Sequence, residues 1–286
     1  AKATFHVIFR NTADVVHLHS GSNSIWAMLL RIAGKRVVLT QFAMDWKRDK
    51  WPWYGKWFYL FSNYLTAYFP NKVAFDNVFT KEYFEKKFKR SFDFVPYGSE
   101  VKLPAANIDI LTKIGIQPQE YFLFVGRFIP DKGLHLLIEA FEKLKTDKKL
   151  VLIGGSPNPG DYEMKVKSTG DERIIFPGYV YGDDTNILMK NAYAYVQPSI
   201  IEGLSPVILT VMGLGTPLIC SDIIENTFIT KENAVHFKSG DAGSLNEKLQ
   251  YALEGHGKLL DNAKLGQADI SERFNWDAIT DQYIKL

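Results

Sequence analysis

Short apolar runs alternate with longer stretches of helical period along this chain, the signature of a doubly wound parallel sheet. A first series of predicted strands comprises DVVHLH (14–19), RVVLTQF (36–42), KVAFD (72–76) and FDFVPY (92–97). A second comprises YFLFVG (121–126), LVLIGG (150–155), RIIFPG (173–178), AYAYVQP (192–198) and PLICSD (217–222). Helices fit between them; in GLHLLIEAFEKLK (133–145), Leu134, Leu137, Ile138, Phe141 and Leu144 share one face. The Pro- and Gly-bearing stretch PYGSEVKLPAAN separates the two series and is the expected linker. The expectation is an α/β chain of two Rossmann-like domains, 1–100 and 101–270, with a C-terminal helix, 271–286, returning to the first. The first domain is short for its class and AKATFH begins in a helical pattern, so an N-terminal piece is expected to be missing.

Composition narrows the function. The 286 residues are 46% hydrophobic and 23% charged with a formal net charge of +2, which disfavours a bulk nucleic-acid binder. A single cysteine, Cys220, excludes an internal disulfide framework and suits a reducing, cytoplasmic setting. No apolar run approaches the roughly 18 residues of a membrane span. The histidines are scattered except for His17 and His19, which share a strand face and suit a structural or substrate-lining role better than a metal site.

Open parallel sheets bind ligands beyond the carboxyl ends of their strands. After YFLFV come Gly126-Arg127 and then IPDKG, whose Lys132 enters a helix. After AYAYVQPS come Glu202-Gly203-Leu204, with Ser205 a candidate N-cap and Pro206 at the first helical position. Free amides at a helix start and two fixed cations suit a diphosphate. Asp183-Asp184, at a predicted helix start, is read as an N-cap rather than a metal pair.

The segments VGRFIPDKGLHLLIEAFEKL, IIFPGYVYGDDTNILMKNAYAYVQPSIIEGLSPVI, GLGTPLICSDI and NWDAITDQYIKL resemble the nucleotide-binding domain of family 4 glycosyltransferases, retaining enzymes of the GT-B fold. DVVHLHSG, GKRVVLTQFAMDWKRDKW and FVPYGSEV resemble that family's acceptor domain. The resemblance implies two domains facing a cleft, no metal or other cofactor, and a nucleotide sugar as co-substrate, expected to be a UDP-sugar. Transfer would be to a glycan or lipid-linked acceptor in polysaccharide or glycoconjugate biosynthesis. Arg127, Lys132 and Glu202 would be catalytic: the two cations on the diphosphate, the carboxylate on hydroxyls of the donor sugar. Donor binding would involve Gly126, Tyr179, Val180, Gly203, Leu204, Ser205 and Thr210. His19, Gln41, Phe42 and Asp45 are the candidate acceptor-side residues.

Two positions depart from the family pattern. Thr210 stands where the second acid of a Glu, seven residues, Glu pair is expected, and a hydroxyl cannot match a carboxylate's bidentate grip on a diol. Phe42 stands where a histidine commonly follows the VVLT strand. These departures keep open a degenerate GT-B protein that binds a nucleotide or partner without catalysis; a sugar epimerase ranks behind both. Finally, residues 45–61, DWKRDKWPWYGKWFYLF, hold four of the six tryptophans among Lys47, Arg48, Lys50 and Lys56. Such a segment suits either a peripheral contact with anionic membrane, at its inner face, or an aromatic helix packed in the domain with its lysines in water.

Overall fold

A computed structural model describes residues 2–10, 12–42, 44–47, 51–99, 108–156 and 160–286. The chain divides into two compact units: residues 1–97 with Trp276–Leu286, and Gly98–Asn275. The expected division at residue 270 falls inside a helix that runs on to Arg273. Most of the expected linker, residues 100–107, lies outside the described residues.

In the first unit, helix α1 (Lys2–Arg10) precedes strand β1 (Val15–His19), α2 (Ile25–Ile32), β2 (Arg36–Gln41), α3 (Trp53–Tyr68), β3 (Lys72–Phe75), α4 (Val78–Phe88) and the two-residue β4 (Asp93–Phe94). The strands are all parallel, in the order β1-β2-β3-β4. Val37, Leu39, Val73 and Phe75 project from the sheet into cores built with Ala27, Leu30, Phe84 and Phe88. The C-terminal helix, Trp276–Ile284, contributes Ile279 and Tyr283 to a third cluster with Ala74 and Val95. Asn77 caps α4, its Oδ1 accepting from the amides of Phe79 at 2.9 Å and Thr80 at 3.0 Å.

The second unit runs α5 (Asp109–Ile114), β5 (Tyr121–Arg127), α6 (Leu134–Glu142), β6 (Lys149–Gly155), α7 (Asp161–Lys167), β7 (Ile174–Gly178), α8 (Asp183–Lys190), β8 (Ala194–Gln197), α9 (Pro206–Gly213), β9 (Leu218–Ser221), α10 (Ile224–Thr230), β10 (Val235–Phe237), α11 (Ala242–Glu254) and α12 (His256–Arg273). Its six parallel strands lie in the order β10-β9-β8-β5-β6-β7. The chain moves outward from β5 through β6 to β7, then crosses back to β8, so the topological switch falls between β5 and β8. Phe122 and Phe124 of β5 and Leu152 of β6 pack with Leu137 and Phe141 of α6 and Leu245 and Leu249 of α11. β10 escapes the sequence pattern, because an edge strand of three residues paired with β9 offers no apolar run.

Candidate functional site

The loops that follow β5 and β8 meet at this switch point, where a parallel sheet opens a crevice. The amide of Ile200 donates to the carbonyl of Asp131 at 2.8 Å. Gly133 has φ +67°, and a Cβ there would lie 2.1 Å from the carbonyl oxygen of Pro198. Only glycine lets the two loops approach this closely.

The contact brings Lys132 onto Glu202. Nζ of Lys132 donates to Oε1 of Glu202, and both side chains are largely buried. The same oxygen accepts from Gln197 Nε2 at 2.7 Å and Ser199 Oγ at 2.7 Å. Gln197 is held in turn by the Tyr195 hydroxyl, 3.1 Å from its Oε1, and that hydroxyl also bonds the main chain of Val125. Burial pushes the Tyr195 phenol upward, an effect that the Val125 contact opposes and the Glu202 charge reinforces. Glu202 is therefore the anchor of a buried polar network rather than a solitary carboxylate, and Lys132 is an ion-paired cation rather than a free one. Sequence reasoning passed over Gln197 and Ser199; their signal was polarity at alternate positions where an apolar strand ends.

Beside this network lies a cavity of about 590 Å³. Its wall includes Gly126 and Arg127 at the end of β5, Gly154 of β6, Tyr179 and Val180 after β7, Thr185 of α8, and Pro206 and Thr210 of α9. Five of the expected residues are thus gathered on one cavity: Gly126, Arg127, Tyr179, Val180 and Thr210. Lys132, Glu202, Gly203, Leu204 and Ser205 are not among its lining residues; they belong to the adjoining loops. Arg127 is exposed at the strand end. The Thr185 hydroxyl donates to the Val180 carbonyl at 2.9 Å, and Tyr179 and Tyr181 stand parallel at 5.9 Å. Gly154, at φ +125°, lets β6 close on β5, since a Cβ would lie 2.0 Å from the Gly126 carbonyl oxygen.

Two capping expectations need correction. Ser205 occupies the N-cap position of α9, with Pro206 next, but makes no side-chain capping bond. Gly182, not Asp183 or Asp184, takes the N-cap position of α8. Gly182 has a positive φ of 65°, which frees both acids for the first turn beside the helix dipole's positive end. The Thr210 hydroxyl donates back to the Pro206 carbonyl at 3.1 Å, so it is engaged by its own helix.

The candidate acceptor-side residues gather in the first unit at the carboxyl ends of β1 and β2. His19 ends β1, buried Gln41 ends β2, Phe42 follows it, and Asp45 opens a short 3-10 turn, Asp45–Lys47. Rings form a column: Tyr283 to His17 at 5.3 Å, His17 to His19 at 4.2 Å, His19 to Phe42 at 6.1 Å and Phe42 to Tyr97 at 5.9 Å. His17 Nε2 lies 2.7 Å from the Thr40 hydroxyl, and burial together with the neighbouring His19 pulls its pKa down. Asp76, just beyond β3, was not anticipated. It is 3% exposed, and its Oδ1 has no hydrogen-bond partner among the described residues. Burial, with the nearby charge of Asp45 adding to it, pushes this carboxyl up to about 8.

Residues 109–268 match the family described as Glycosyl transferases group 1, more than half of the chain. The chain belongs to the group 1 glycosyltransferases. An uncharacterized glycosyltransferase of Methanocaldococcus jannaschii is 30% identical over 189 residues, 63% of this chain and 47% of the relative. O-antigen chain mannosyltransferase B of Escherichia coli is 25% identical over 202 residues, 68% of this chain and 51% of the relative. The chain thus spans about half the length of these curated relatives.

The fold agrees with the family. HepE of Anabaena, solved with UDP and glucose, superposes with a TM-score of 0.88 at 18% identity, covering 100% of this chain and 81% of that one. Sucrose-phosphate synthase of Thermosynechococcus elongatus gives 0.84 at 20% identity, with 100% and 75% covered. These matches show the GT-B fold, an α/β chain with two parallel sheets. Among the described residues, no helix is long and apolar enough to cross a membrane, and no cluster of three His, Cys, Asp or Glu side chains has the geometry to hold a metal.

Proposed function

We propose that the protein transfers a sugar from a nucleotide donor, a UDP-sugar, to a hydroxyl of a glycan or lipid-linked acceptor with retention at the anomeric carbon. The observation that carries this reading is the cavity at the switch point, walled by Arg127, Val180 and the start of α9. Its uncharged first turn offers free amides to a diphosphate, and Arg127 adds a cation where charge develops on the leaving group. The anomeric bond to phosphate breaks, a bond to the acceptor oxygen forms, and the acceptor's proton leaves with the nucleoside diphosphate. All the hydrogen bonds of Glu202 noted above fall on Oε1, so Oε2 is the oxygen available to a sugar hydroxyl. Lys132 then holds Glu202 in place with one N–H, and its other two donors are what it offers the diphosphate. The binding of UDP and of UDP-glucose by HepE supports the choice of donor. A lipid-linked acceptor would be met at a membrane surface, for which the aromatic and basic segment 45–61 is suited.

Phe42 and Thr210 favour a second reading, nucleotide or partner binding without transfer. Thermal unfolding with UDP, GDP and ADP, beside Arg127→Ala, tests the donor site. A ligand at about 100 times its Kd adds about 2.7 kcal/mol. A shift with UDP that Arg127→Ala abolishes is the expected result; no shift with any nucleotide would overturn the donor assignment. Donor-dependent sugar transfer then separates the two readings.

A further inference from the structure

Helix α3 is amphipathic the wrong way round. The residues it buries are Ser62, Asn63, Thr66 and Ala67. The residues it exposes are Trp53, Tyr54, Trp57, Phe58, Phe61, Tyr64 and Tyr68, with Trp53 at 74% and Trp57 at 67%. Positions 53, 57, 61, 64 and 68 recur every three or four residues, so these rings form one stripe along the whole helix. The stripe meets the core only at its C-terminal end, where Tyr64 and Tyr68 stand edge-on to the buried ring of Phe88 at 5.2 and 5.9 Å; Trp53, Trp57, Phe58 and Phe61 stay exposed.

Electrostatics select the occupant. α3 contains no acidic residue, and its one charged side chain is Lys56. From the following helix and the turn after it, Lys87 of α4 lies 5.0 Å over the Tyr64 ring, and Arg90 lies 5.4 Å over Tyr68. Arg90 is fixed there by donating to the Ala67 carbonyl. Cations seated on an exposed aromatic stripe complement a surface that is apolar below and negatively charged above. A protein partner would satisfy the rings, but nothing in α3 offers a counter-charge to a basic or neutral one.

We propose that the outward face of α3, with Lys87 and Arg90, docks the first unit onto an anionic lipid bilayer. The face is centred on residues 53–68 and borrows its charge from Lys87 of α4 and Arg90 just beyond it, so it is not coextensive with segment 45–61. This inference deepens the lipid-linked-acceptor reading and rests on it for its biological sense, though not for its physics.

The test is co-sedimentation of the full chain with phosphatidylcholine vesicles, with and without phosphatidylglycerol, followed by tryptophan emission. Expected is a blue shift and binding that requires phosphatidylglycerol. Trp53→Ser with Trp57→Ser should weaken binding by about tenfold or more, and Lys87→Gln and Arg90→Gln by about fivefold each. All four positions are surface sites, and an unchanged melting temperature verifies that each variant is folded. Absence of binding to phosphatidylglycerol vesicles, or equal binding to neutral ones, would overturn the proposal. So would a concentration-dependent dimer that the tryptophan variant abolishes in the absence of vesicle binding. The UDP-induced thermal shift, read in the same samples, separates the failures: a UDP response without vesicle binding sinks the docking alone, and the converse sinks the donor reading alone.

Discussion

Replacing Asp76 with Asn should stabilise the first unit, and the gain should grow with pH. The carboxyl is buried at the end of β3, and the titratable groups acting on it are Asp45 from the 3-10 turn, Tyr97 beyond β4 and Tyr283 from the C-terminal helix. None of them is a cation. Its pKa rises from 3.8 to about 8 on folding, so the folded state keeps a proton that the unfolded chain releases. Stability is then fully present below about pH 4 and falls by about 1.4 kcal/mol per pH unit until about pH 8. The whole fall is about 5–6 kcal/mol, the energy needed to ionise a buried carboxyl that no cation among the described residues offsets. Asn is a neutral isostere and escapes this cost, losing about 1 kcal/mol where an amide replaces a hydroxyl donor. Asp76→Asn should therefore match or slightly trail the parent near pH 4 and exceed it by about 4 kcal/mol near pH 8. All six tryptophans lie in the first unit, so urea unfolding followed by tryptophan fluorescence reads this unit alone. A stability difference that stays flat from about pH 4 to about pH 9 would refute the burial argument.

Three further outcomes follow from the second unit. Lys132→Met should cost about 3 kcal/mol in urea unfolding, because it leaves the largely buried Glu202 without its cation; adding Glu202→Gln should restore about half, which a double-mutant cycle reads directly. Gly133→Ala should cost about 2–5 kcal/mol through its positive φ and its clash with Pro198, and the UDP response should go with it, whereas Gly170→Ala, which meets open space, should change stability by under about 1 kcal/mol. Thr210→Glu should tighten UDP binding by about tenfold in isothermal titration, since a carboxylate on the cavity wall can take both hydroxyls of a ribose; unchanged affinity would place the ribose elsewhere.

Strand identity was legible because it is local. Alternation of apolar runs with helical periods located nine strands, the helix at 133–145 and the loops that carry Arg127, Lys132 and Glu202, since each of these patterns is written within a dozen residues. Where the signal was too short, as at β10, a strand went unread, and where the capping choice depended on backbone dihedrals, as at Gly182, the sequence pointed to Asp183-Asp184 instead. The chemistry of the glycine turns was visible as composition, but the reason for Gly133 was not, because the carbonyl it makes room for comes from Pro198.

What only tertiary structure decided are the long-range pairings. Lys132 and Glu202 are 70 positions apart, and nothing local to either says that the cation and the carboxylate neutralise each other. Asp76 resembles any polar residue at a strand end until burial is known; its proton affinity is set by what surrounds it, not by its neighbours in the chain. The same holds for α3, whose rings recur at helical period and would serve a core equally well. Its polar side faces the turns at Gly21–Ser24 and Asp45–Lys47 instead, where Ser24 donates to the Ser62 carbonyl, and Trp53, Trp57 and Phe61 are left outside. Periodicity determines that a helix has two faces; only the packing of the other elements determines which one is turned inward.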